Sequence, residues 1–264
     1  YAARVTTPPR LPWLWRLIAA AARFVVRGVE RWRIDVRGLE HVPTRGGAVL
    51  AFNHHSYFDF VMVAWAVVIQ MRRPVRFLAK REIWNSWARP IVRAAGAVPV
   101  DRGDTTSRHG AYAAAVDALQ RGELVAVAPE QTVSLSLELL PFRTGAVRMA
   151  QAAGVPIIPV VGWGTQRFAA KGFGIRHAPG IPVLVRYLAP IHVPPDAEPV
   201  AVTAELQARM AAVLREVQDA YPVAPEDRGA YWQPARLGGS APDHEAVLAE
   251  HQRRFEERQR RTEG

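Results

Sequence analysis

The stretch Asn53-His54-His55-Ser56-Tyr57-Phe58-Asp59 carries the side chains best suited to chemistry in this 264-residue chain. His54 and Asp59 are five positions apart, ~500° of regular helix at ~100° per residue, so they do not share a helix face. They meet if His54 lies in a loop and Asp59 in the first turn of the helix that follows. Asp59 then accepts from one ring nitrogen, and the other nitrogen is left to take a proton from a hydroxyl. The same residues also read as a polar loop in which Ser56 or Asp59 caps the helix. The spacing leaves both readings open. His54, His55 and Asp59 are metal-ligand types, but His41, His109, His177, His192, His244 and His251 show no ligand spacing, so no metal is expected.

The flanking sequence must position this stretch. Gly47 to Phe52 is a short apolar run of buried-strand type, and Phe60 to Ile69 is apolar and free of breakers, as a buried helix would be. Further strands are expected at Arg33 to Arg37, Val75 to Ala79, Ala97 to Val100, Leu124 to Ala128, Val155 to Val161 and Ile181 to Leu188. Helices are expected at Ile83 to Gly96, Ser107 to Gln120, 143 to 153 (closed by Gly154) and Thr203 to Ala220. Strands alternating with helices define an α/β fold, a mainly parallel sheet flanked by helices. The sequence divides into an N-terminal amphipathic segment (1–32), the α/β domain (33–222) and a charged C-terminal extension (223–264), whose last stretch, Asp243 to Gly264, reads as a helix or a tail.

Four polar clusters follow four of these strands: His54 with Asp59, Lys80, Asp101 with Arg102, and Glu130 to Thr132. Strand C-termini of a parallel sheet share one edge, where sites of open α/β folds sit, so these clusters are expected to converge. Lys80 and Arg102 suit a phosphate.

The formal charge of +10 and the sequence pI near 10.8 favour polyanionic partners. All but Lys80 and Lys171 of the 34 basic residues are arginine, which with the abundant alanine suggests a GC-rich, bacterial genome. Aromatic and basic residues are not interleaved for base stacking, so no nucleic-acid partner is expected. The absence of cysteine excludes disulfides and thiol nucleophiles and makes a reducing cytosolic setting the default. No run reaches the ~18 apolar residues of a spanning helix. The segment from Leu11 to Val26, however, is a basic amphipathic helix with Trp13, Trp15, Arg16 and Arg23 placed to meet a membrane interface; packing on the chain's own core is the alternative.

Taken together, the motifs resemble those of the glycerolipid acyltransferases, the 1-acyl-sn-glycerol-3-phosphate acyltransferase family. Asn53-His54-x4-Asp59 is similar to its first motif. Phe77-Leu78-Ala79-Lys80-Arg81-Glu82, followed by Gly96 to Arg102, resembles its second, in which Arg102 stands at the phosphate-binding arginine. Ala128-Pro129-Glu130-Gln131-Thr132 resembles the third, continued by Pro141-Phe142-Arg143-Thr144-Gly145, and Val155 to Val160 resembles the fourth. The third motif departs from the usual Pro-Glu-Gly-Thr-Arg-Ser, with Gln131 in place of glycine and Val133 in place of arginine.

The resemblance implies a peripheral enzyme at the cytoplasmic face of the membrane. It would move an acyl chain from acyl-CoA or acyl carrier protein to the free hydroxyl of lysophosphatidate, with His54 as base and Asp59 orienting it. Lys80, Arg102, Glu130, Thr132 and Arg143 would bind substrate phosphate, Arg143 compensating for the arginine lost at Val133. It implies no cofactor and no metal. Glycerol-3-phosphate or another lysophospholipid is the alternative acceptor, and a basic protein that binds anionic membranes or nucleic acid without catalysis is the alternative from another class.

Overall fold

The computed structural model describes residues 13–80, 97–100 and 105–263. The helix expected from Ile83 to Gly96 and the cluster Asp101 with Arg102 lie outside these residues. The apolar runs become strands β1 (Arg33–Arg37), β2 (Ala48–Phe52), β3 (Val75–Lys80), β4 (Val98–Val100), β5 (Leu124–Val127) and β6 (Ile157–Trp163). A small hairpin, β7 (Ala169–Ala170) with β8 (Gly174–Ile175), precedes β9 (Pro182–Tyr187). Seven of them form one sheet in the order β1-β9-β6-β2-β5-β3-β4. The block from β6 to β4 is parallel, whereas β9 runs antiparallel to β6 and carries β1 parallel to itself.

β2 occupies the middle of the sheet and is buried along its whole length. Alternation sends its residues into two separate cores. Ala48, Leu50 and Phe52 face the side covered by α2 (Asp59–Gln70), whereas Val49 and Ala51 face the side covered by α3 (Thr105–Gln120), α4 (Gly145–Ala153) and α5 (Pro199–Asp219). A strand buried on both faces must be apolar at every position, which is why its sequence does not alternate with polar residues. Its C-terminal end then opens beside those of its parallel neighbours β5 and β6, and that edge collects the loops at 53–58, 128–144 and 164–168.

The N-terminal helix α1 (Trp13–Arg23) continues as a π-helical turn, Phe24–Val29. Here the sequence expectation needs a correction. Trp15 does not face outward; it is buried, with Val26 and Trp32, in the core on the α2 side. The helix turns one apolar face inward, and Trp15 lies on it. Trp13 (70 % exposed), Leu17 (58 %) and Phe24 (69 %) form a second, outward apolar surface, and Arg16, Arg23 and Arg27 are exposed around it. Among the described residues no helix is long and apolar enough to cross a membrane.

The C-terminal extension is not a loose appendage. Residues 223–243 lay Trp232 and Ala241 into the core on the α5 side, and the charged run after them forms α6 (His244–Glu263).

Candidate active site

The polypeptide leaves β2 at Phe52 and enters α2 at Asp59, so His54 is in the loop and Asp59 in the first helical turn. His54 Nδ1 lies 3.3 Å from Asp59 Oδ2. The carboxylate is 2 % exposed and the imidazole 23 %, so the pair is anchored on the inside and open on the outside. Oδ2 also accepts from the backbone N–H of His55 and of Ser56, both at 2.7 Å. Oδ1 accepts from the hydroxyl of Thr165, 2.5 Å away. A carboxylate that satisfies two loop amides before it meets the imidazole is placed by the backbone. The amides it serves, those of His55 and Ser56, precede α2, so the carboxylate orders the loop and pairs with His54 but does not cap the helix.

The rest of the loop is tied down just as closely. Asn53 donates from Nδ2 to the carbonyl of Gly162 (2.9 Å) and accepts from its N–H at 2.7 Å, which pins the end of β2 to β6. Asn53 Nδ2 also lies 3.1 Å from His55 Nδ1. The His55 ring is buried, and burial pushes its pKa down to about 4, against the opposing pull of the Asp59 charge. It is therefore a neutral structural histidine at physiological pH. Ser56 donates to the carbonyl of Ala169 at 2.8 Å and accepts from Phe58 N–H at 3.0 Å.

Glu130, expected at substrate phosphate, is placed differently. It is buried, and its carboxyl spans two backbone amides: Oε1 accepts from His54 N–H at 2.8 Å and Oε2 from Leu140 N–H at 2.9 Å. Burial pushes its pKa up to about 8, with the Asp59 charge adding to the push and the two amides opposing it. A carboxyl so enclosed has both oxygens committed to backbone amides and is turned away from a ligand. Its role is to hold the loop that carries His54. Ser134 completes the clamp by donating its N–H to the His54 carbonyl at 2.8 Å.

Thr132 is half-buried in the same loop. Val133, at the position of the family's arginine, is buried. Arg143 is half-buried, with its guanidinium 3.6 Å from the ring centroid of Phe255 on α6. β3 ends at Lys80, two strands from β2 and on the same sheet edge. Thr165 is a contact that no motif announces: it lies 106 positions from Asp59 and meets it only because β6 runs beside β2.

An α/β sheet with a histidine–carboxylate pair at the carboxyl end of its central strand defines a class of site, and comparison with known proteins specifies it. Residues 33–163 match the family model described as Acyltransferase, and the chain belongs to that family. Over 190 residues it is 29 % identical to a 1-acyl-sn-glycerol-3-phosphate acyltransferase of Limnanthes alba, covering 69 % of this chain and 65 % of that protein. The enzyme of the same name from Escherichia coli K12 is 32 % identical over 130 residues, 48 % of this chain and 51 % of the relative. The chain thus spans less than two thirds of the length of these relatives. The crystal structure of the 1-acyl-sn-glycerophosphate acyltransferase PlsC from Thermotoga maritima superposes with a TM-score of 0.65 at 21 % identity, over 79 % of this chain and 81 % of that one, and shares its fold.

Proposed function

We propose that this protein transfers an acyl group from a thioester, acyl-CoA or acyl-acyl carrier protein, to the free hydroxyl of 1-acyl-sn-glycerol-3-phosphate, giving phosphatidate. The observation that carries the reading is the pairing of His54 Nδ1 with the buried Asp59, which leaves the other ring nitrogen on the open side.

In the reaction the acceptor hydroxyl approaches that nitrogen. His54 takes its proton as the oxygen attacks the thioester carbonyl. Asp59 stabilises the imidazolium that forms. Collapse of the tetrahedral intermediate breaks the carbon–sulfur bond, and the departing sulfur recovers the proton from His54. No acyl-enzyme is needed, in keeping with a chain without cysteine. Lys80 and Arg102 hold the acceptor phosphate. Tyr57, Phe60 and Leu135, exposed apolar residues of the elements that meet at His54, suit the acyl chain. The outward face of α1, with Trp13, Leu17 and Phe24 among Arg16, Arg23 and Arg27, rests on the anionic interface that presents the lipid.

The test is thiol release from acyl-CoA as a function of lysophosphatidate, read with a thiol-reactive dye to which this cysteine-free chain is silent. Release is expected to depend on the acceptor and to vanish in His54→Ala. Release at the same rate without lysophosphatidate would sink the reading. Parallel assays with glycerol-3-phosphate and with acyl carrier protein identify acceptor and donor. Arg102→Ala is expected to raise the acceptor KM about 10-fold or more, the scale of a charge-assisted contact of ~1.5–3 kcal/mol. An unchanged acceptor KM with a raised one for acyl-CoA would reassign Arg102 to the donor.

A further inference from the structure

Asp59 is held from two sides, and only one of them belongs to the motif that contains it. On the motif side, Oδ2 takes the amides of His55 and Ser56 and faces His54. On the far side, Oδ1 receives the Thr165 hydroxyl at 2.5 Å. Thr165 is 2 % exposed and sits in the 3-10 turn Thr165–Arg167 directly after β6. An ionised carboxylate only accepts, so the hydroxyl must donate.

The turn is built to hold that hydroxyl still. Gly164, which starts it, has φ +110°, and a Cβ there would lie 2.3 Å from the carbonyl oxygen of Pro182, so the backbone path admits glycine alone. Gln166, fully buried, accepts from Gly164 N–H at 2.8 Å. The carbonyl of Thr165 lies 3.1 Å from Ser56 Oγ and shares its proton with the carbonyl of Ala169, so the carbonyl as well as the hydroxyl of Thr165 addresses the loop of the candidate base. From outside, the C-terminal extension clamps Arg167, two residues on. Arg167 pairs with Asp227 at 2.6 Å, stacks 4.2 Å from the Trp232 ring centroid, and accepts at its carbonyl from Tyr231 Oη at 2.9 Å.

We infer that Thr165 is a positioning residue of the acyl-transfer reaction, its hydroxyl fixing the Asp59 carboxylate so that Oδ2 faces His54. This rests on the reading of His54 as the base. The hydroxyl occupies the oxygen that the imidazole does not use and prevents the carboxylate from swinging away. It also draws off part of the carboxylate's charge, which sets how strongly the imidazolium is held.

Thr165→Val keeps the shape and removes the donor. It is expected to lower kcat about 10- to 100-fold, the scale of losing an outer hydrogen-bond partner of a reactive group, with the acceptor KM unchanged within about 2-fold. The acid limb of the kcat/KM profile is expected to move to higher pH, because the imidazolium then faces a carboxylate with one donor fewer. Thr165→Ser restores the hydroxyl and is expected to return kcat and the acid limb to near wild type. A wild-type kcat in Thr165→Val overturns the inference. So does a low kcat with an unmoved acid limb that serine fails to rescue, the signature of a packing role. Should Thr165→Val not fold by circular dichroism, Thr165→Ala against Thr165→Ser decides by the same criteria. His54→Ala in the same assay separates the two levels: activity there removes the base, whereas an inactive His54→Ala beside a wild-type Thr165→Val removes only the role of Thr165.

Discussion

Two loops leave adjacent parallel strands at the same sheet edge, and each carries a buried carboxyl. After β2, Asp59 accepts two amides, a hydroxyl and an imidazole. After β5, Glu130 accepts, among the described residues, two amides alone. The first carboxyl has a titratable neighbour that opens to the outside; the second is closed off and pushed up to about 8 by burial, helped by the charge of the first. Environments that set neighbouring carboxyls apart assign them different work. In the proposed reaction Asp59 supplies negative charge where an imidazolium forms, whereas Glu130 is a strut that carries little charge at neutral pH. Proximity to a reactive histidine therefore does not make a residue catalytic; the partners of its oxygens do.

The largest effect expected from breaking this comparison is on the Asp59 side. His54→Ala is expected to reduce acyl transfer by ~10²–10⁴-fold, the usual range for losing a general base, with the thermal midpoint nearly unchanged because the ring is partly exposed. Asp59→Asn is expected to fall in the lower part of that range. Its amide oxygen still serves the loop N–H groups, and its NH2 turns to the Thr165 hydroxyl, which then accepts. What disappears is the charge that stabilises the imidazolium. A large loss of stability in Asp59→Asn, equal to its loss of activity, would make Asp59 a strut like Glu130.

Glu130→Gln probes the other side, and its effect should appear mainly in stability. One carboxamide oxygen replaces two acceptors, so an NH2 is brought against the amide of His54 or of Leu140. Leaving such a buried donor unpaired costs ~1–3 kcal/mol. Denaturant unfolding at pH 7 measures it.

The pH dependence adds a sharper test of the same contrast. Glu130 keeps its proton up to about pH 8 in the folded protein but releases it near 4.5 when unfolded, so its contribution to stability falls as pH rises through that window. His55, pushed down to about 4 from 6.5, works in the opposite sense: its contribution is complete above 6.5 and falls as pH drops toward 4. The two trends oppose each other between about 4.5 and 6.5, and only that of Glu130 acts from 6.5 to 8. In Glu130→Gln the decline above pH 6.5 is expected to shrink, and the decline below it to steepen. Unfolding curves at pH 5, 6.5 and 8 read both, and a Glu130→Gln protein with the wild-type slope above 6.5 would contradict the assignment.

Most of the described fold was legible because its elements follow local rules. β2 is continuously apolar and therefore buried on both faces, and Gly154 closes α4 in the left-handed region at φ +65°. His54 and Asp59 were legible because five positions separate a loop residue from the first turn of the helix that follows it. Three features were not. The antiparallel insertion of β9 depends on pairing between distant strands, on which its own sequence is silent. Trp15 and Trp13 are equally apolar, and only the packing of α1 on the core separates the inward one from the outward one. Glu130 and Thr165 act through contacts 76 and 106 positions away, with a backbone amide and a side chain that no spacing in the sequence brings together. The motif revealed that Glu130 matters; only the geometry says how.

The smallest expected effect concerns the residue beside Glu130. Gln131 stands where the family's third motif has glycine, and its φ is +59°, in the left-handed region. A side chain there costs roughly 1–2 kcal/mol, whereas glycine adopts it freely but has ~0.5–1 kcal/mol more entropy to lose on folding. The two nearly cancel, with the balance on the side of glycine. On these backbone terms Gln131→Gly is expected to change stability by no more than ~1 kcal/mol, a shift of at most about 4 °C in Tm for a domain of this size. Because Gln131 N–H donates to the Ala128 carbonyl at 3.0 Å through backbone atoms alone, the turn that presents Glu130 should survive the change. The kcat of acyl transfer should then stay within about 2-fold of wild type, since the glycine variant keeps the same turn and leaves both oxygens of Glu130 on their amides. A drop of 10-fold or more with Tm preserved would show that the glutamine side chain itself takes part in the site, and the loop after β5 would no longer be scaffold alone.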